Sequence, residues 1–82
     1  MNDNGILDRI IVDPKILAGK PVIRGTRLSV QFILGMLGSG ATTADIVAEY
    51  PGLTVDDVRA CLVFAQRSLE DITFVPLVKE AV

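Results

Sequence analysis

Five cationic side chains crowd the first third of the chain. They are Arg9, Lys15, Lys20, Arg24 and Arg27, and Asp13 is the one acid among them, so residues 9–27 carry a net charge of +4. Arginine presents a planar fork of donors that fits phosphate oxygens and guanine edges, and lysine adds a compact charge for phosphate. The pattern points to contact with DNA. The alternative is that Arg24 or Arg27 pairs with carboxylates of the same domain, or of its dimer mate, and fixes local structure. The remainder of the chain has the opposite bias. From Leu28 to Val82 the basic residues Arg59, Arg67 and Lys79 face Asp45, Glu49, Asp56, Asp57, Glu70, Asp71 and Glu80, a net −4. A basic surface beside an acidic body is expected.

Other chemistries find little support. The 82 residues include no histidine, which removes the commonest general base and the commonest metal ligand. With a single cysteine, Cys61, neither a Cys–His pair nor a Cys/His zinc site can form. We therefore expect no enzyme, no cofactor, no metal site and no small-molecule substrate. One cysteine also forbids an intrachain disulfide. No signal-peptide pattern opens the chain, so a cytoplasmic protein is expected. The longest apolar run, Val30 to Leu37, is too short to cross a bilayer.

These side chains need elements to position them. Residues 1–8 are polar and read as a flexible terminus. Arg9 to Val12 is β-branched and reads as a strand that Asp13-Pro14 ends. Pro21 to Arg24 is a second extended piece, Gly25 marks a turn, and Thr26 to Leu28 runs on extended. Residues 9–28 thus form a small β-ribbon or hairpin. Gly19 and Gly25 serve backbone geometry there rather than a phosphate loop.

Three helices follow, at about 30–39, 43–49 and 55–70. Ser29 caps the first. Thr42 with Asp45, and Thr54 with Asp57, have the spacing of capping boxes for the second and third. The first is apolar almost all round, and Gly35 and Gly38 allow another backbone to approach closely. It is expected to be buried on most sides, partly against a second copy through Phe32, Met36 and Leu37. On the third, Val55, Val58, Leu62, Ala65 and Leu69 define an apolar face. Cys61 lies near that face as a buried, inert thiol, and Tyr50 packs at the turn Tyr50–Leu53. The expected fold is mainly α: a three-helix, helix-turn-helix bundle preceded by the ribbon, forming one domain over residues 9–71.

In a helix-turn-helix the third helix ordinarily reads the groove. Here it opens on Asp56 and Asp57, which would face phosphates and repel them. The ribbon is the better DNA contact. Residues 72–82 form an apolar tail. Phe74, Val75, Leu77 and Val78 could add a strand to a partner protein, or dock on the ribbon of their own chain. Half of the residues are hydrophobic, more than so small a domain can hide, so a homodimer or higher oligomer is expected.

Two blocks of the sequence resemble a known family. Gly19-Lys20-Pro21-Val22-Ile23-Arg24-Gly25-Thr26-Arg27, followed by Val30, is similar to the signature of domain-of-unknown-function family 433. Ile46, Tyr50-Pro51, Leu53-Thr54, Asp57-Val58, Arg59-Ala60 and Leu62 resemble its second block. Cys61 and Val63 depart from it, standing where small alanines are usual. The resemblance implies a homeodomain-like fold behind a β-ribbon. It also implies a type II antitoxin paired with a PIN-like ribonuclease toxin. With the basic ribbon and the helix-turn-helix layout, the favoured function is an antitoxin that also binds its operator DNA. It carries over no catalytic residues. The rival is a protein-only interaction module that never touches DNA.

Overall fold

The computed structural model of the chain describes residues 3–70. The fold is mainly helical. A short helix α1 (Asp3–Leu7) precedes a two-stranded antiparallel hairpin, β1 (Ile10–Ile11) and β2 (Val22–Ile23), and three helices follow: α2 (Val30–Gly38), α3 (Thr43–Glu49) and α4 (Val55–Ser68). The register sets Ile10 against Ile23 and Ile11 against Val22.

Each helix begins where a side-chain oxygen can satisfy an orphan amide. The Ser29 hydroxyl accepts from the Phe32 amide at 2.9 Å. Thr42 accepts from the Asp45 amide at 3.0 Å, and Asp45 accepts from the Thr42 amide at 2.9 Å. Thr54 and Asp57 repeat this reciprocal box at 3.1 and 2.9 Å. Helix α2 stops in a Schellman motif. The Ala41 amide reaches the Met36 carbonyl, the Gly40 amide reaches Leu37, and Gly40 takes a φ of +107° that a side chain would resist. Pro51 and Gly52 then turn the chain, with the Leu53 amide donating to the Tyr50 carbonyl at 2.8 Å.

The caps give a direct test. Thr42→Ala and Thr54→Ala should each cost about 1 kcal/mol. In a domain of this size that lowers the melting temperature by roughly 4–8 °C, read by far-UV circular dichroism. The hydrogen bonds from Thr42 also hold the Asp45 carboxyl below its ordinary value of 3.8. Their contribution is present above that value and is lost as pH falls through the lowered native one.

The core gathers Ile23 from the hairpin, Val30 and Ile33 from α2, Ile46 from α3, Leu53 from the turn, and Val58 and Cys61 from α4. Four expectations are corrected. The terminus read as flexible contains α1, and Ile6 is buried, with α1 packed on α4. Thr26 and Arg27 are not a strand. The Thr26 amide closes a turn onto the Ile23 carbonyl at 3.0 Å with Gly25 at φ +81°, and the Thr26 hydroxyl donates to the same carbonyl. Helix α2 is not enclosed: only Val30 and Ile33 are buried, and a Cβ at Gly35 or Gly38 would meet nothing within 4 Å. The buried face of α4 holds Asp57, Val58, Ala60 and Cys61, whereas Val55, Leu62 and Leu69 are exposed.

Candidate nucleic-acid interface

The hairpin and the first turn of α2 are tied together by backbone. The Val30 amide donates to the Pro21 carbonyl at 2.9 Å, and the Ile23 amide to the Leu28 carbonyl at 3.0 Å. This fixes the two ends of the 20–27 segment, Lys20 and Arg27, beside the amino end of α2. Lys20 lines an open depression with Ser29, Gln31 and Phe32, and Arg27 lines another with Leu17, Leu28, Ser29 and Phe32. Phe32, 44% exposed, is common to both, and it meets the Tyr50 ring edge-on at 5.9 Å and 83°. Among the described residues neither Lys20 nor Arg27 has an ion pair or a side-chain hydrogen bond.

The other three cations are placed differently. Arg9 donates to Asp57 at 3.1 Å and lies 3.7 Å from Asp56, so it joins β1 to the first turn of α4. Its charge is answered within the domain, which sets it apart from Lys20 and Arg27. Asp57 is nearly buried, and Arg9 and the Thr54 amide together satisfy its carboxylate. Arg24 donates through Nε and Nη2 to the Asp8 carbonyl, at 2.9 and 2.6 Å. It clamps the end of α1 to the hairpin, yet it stays exposed and no carboxylate pairs with it among the described residues. Lys15 is exposed on the turn after Pro14, where its amide donates to the Asp13 carboxylate at 2.9 Å.

Sequence reasoning found the cations of this surface but missed the polar groups between them, Ser29 and Gln31. Ser29 had been legible only as a cap. The expected oligomer contact on α2 divides. Met36 and Leu37 are half-buried against their own core, and Phe32 stays accessible. Phe74, Val75, Leu77 and Val78 lie outside the described residues.

Cys61 is fully buried, and burial, then the charge of Asp57, pushes its thiol up to about 11. The thiolate is the reactive form. Iodoacetamide at neutral pH should therefore leave the folded chain unmodified and alkylate it once denaturant unfolds it, as mass spectrometry would show. Among the described residues no group of three or more His, Cys, Asp or Glu could hold a metal ion, and no helix is long and apolar enough to cross a membrane.

The fold defines a class: a small, mainly helical domain in which three helices follow a basic two-stranded hairpin. The chain matches the family described as Protein of unknown function (DUF433) over residues 10–65, and it belongs to that family. It is also similar to the crystal structure of a DUF433 member protein from Anabaena variabilis ATCC 29413. That likeness has a TM-score of 0.73 and 28% sequence identity, and covers 82% of this chain and 66% of the other. This chain thus spans a little less than two thirds of that protein's length. None of the curated proteins matches the chain.

Proposed function

We propose that the chain is an antitoxin-type adaptor that binds operator DNA as a dimer and holds a PIN-like ribonuclease partner. One observation carries the DNA half. Lys20 and Arg27 flank the amino end of α2, with Phe32 between them and no acid answering either among the described residues. The positive end of a helix favours anions, and the two cations add to it. Arg24 and Lys15 are two further exposed cations of the same hairpin segment. Helix α4 is set against groove insertion by Asp56, which is exposed in its first turn. The partner half rests on the family resemblance and on apolar surface left open. Its test is co-expression with the protein encoded by the neighbouring frame, scored by growth rescue and co-purification. For DNA, a gel shift with the upstream duplex should show binding that weakens steeply with salt.

The protein-only reading has its own support. Val55, Leu62 and Leu69 are exposed on α4, an apolar surface of the kind that marks contacts between proteins. If the duplex does not shift even at low salt, that reading replaces the DNA half.

A further inference from the structure

Helix α4 carries two apolar faces. One is spent on the core. The other holds Val55, Leu62 and Leu69, which are 60%, 49% and 60% exposed. They recur every seven residues, so they stack as one stripe along the helix. Arg59 and Gln66 fill the same stripe, each four residues beyond an apolar member. Gln66 donates to the Glu70 carboxylate at 3.0 Å, which ties these two side chains into a polar, negatively charged dyad. Arg59 is half-buried and has no ion pair among the described residues.

We infer that this stripe pairs with the same stripe of a second copy, antiparallel, with Leu62 on the two-fold axis. Charge selects that occupant and that direction. An antiparallel pair centred on Leu62 sets Val55 opposite Leu69 of the second copy. At a rise of about 1.5 Å per residue, Arg59 then falls within about 1.5 Å of the level of Gln66 of the second copy, beside its dyad with Glu70. A parallel pair would instead set Arg59 against Arg59 and Glu70 against Glu70, which costs rather than stabilises. The two-fold makes every contact occur twice. This pairing supplies a dimer contact on α4, separate from the one expected on α2, and it does not depend on DNA binding.

Sedimentation velocity on the full chain tests it. The wild type should be a dimer. Leu62→Asp should raise the dimer dissociation constant about a hundredfold while leaving the circular dichroism spectrum unchanged, because the side chain is exposed. Arg59→Glu should weaken the dimer about tenfold, and adding Glu70→Arg should restore it. A wild type that stays monomeric at high concentration overturns the inference, as does a dimer indifferent to Leu62→Asp. A double swap that fails to restore pairing overturns the antiparallel arrangement.

Discussion

A chain carrying Lys20→Glu and Arg27→Glu should bind the upstream duplex on the order of a hundredfold more weakly than the wild type at low salt. Both side chains lack an ion pair among the described residues, so reversing them removes phosphate contacts without breaking the fold. In a dimer two positions become four, and each lost phosphate contact should lower the salt slope of log K by about 0.9. The melting temperature should stay within a few degrees, since unpaired surface substitutions usually change stability by about 0.5 kcal/mol or less. Arg9→Glu is the matching control. It places a third carboxylate beside Asp56 and Asp57, so it should reduce stability while leaving the shallow salt slope of the double variant unreproduced. Titrations at several salt concentrations, paired with thermal melts, separate the two effects.

The largest loss of stability should come from Ile33→Ala. Ile33 is fully buried, in a cluster with Ile23, Val30, Ile46, Leu53, Val58 and Cys61 that draws on the hairpin and on α2, α3 and α4. Truncation removes transfer free energy and leaves a cavity, together about 3–4 kcal/mol. A domain of this size has only about 5–10 kcal/mol in total, so a melting point lower by roughly 15–25 °C is expected. Ile33→Val keeps most of the volume and should cost about 1 kcal/mol. Equilibrium urea unfolding of the three chains checks the ratio.

What could be read from the residues was local. Ser29, Thr42 and Thr54 announced their helices because a cap and its amide lie three positions apart, and Pro51-Gly52 announced the turn between α3 and α4. The hairpin was legible in its β-branched runs and in Gly25. What stayed hidden was long-range. Arg9 meets Asp57 across 48 positions, and nothing near Arg9 signals that pairing. Helix α1 is short; it packs on α4 with Ile6 buried, and Arg24 holds the Asp8 carbonyl just past its end. Helix α4 misled because it has apolar residues on more than one side. Period alone joined Val58 to Val55, Leu62, Ala65 and Leu69 in one face, but the bundle buries Val58 together with Cys61 and leaves Val55, Leu62 and Leu69 exposed. The cations were found by counting, whereas their division into bound and open groups needed the fold.

The most direct test of the central claim is an NMR titration of the isotopically labelled chain with the upstream duplex. Amide shifts should concentrate from Lys20 to Phe32 and leave Asp56 to Arg67 unmoved. Shifts centred on α4, or none anywhere at low salt, would contradict the claim that the basic shoulder of α2 is where DNA is met.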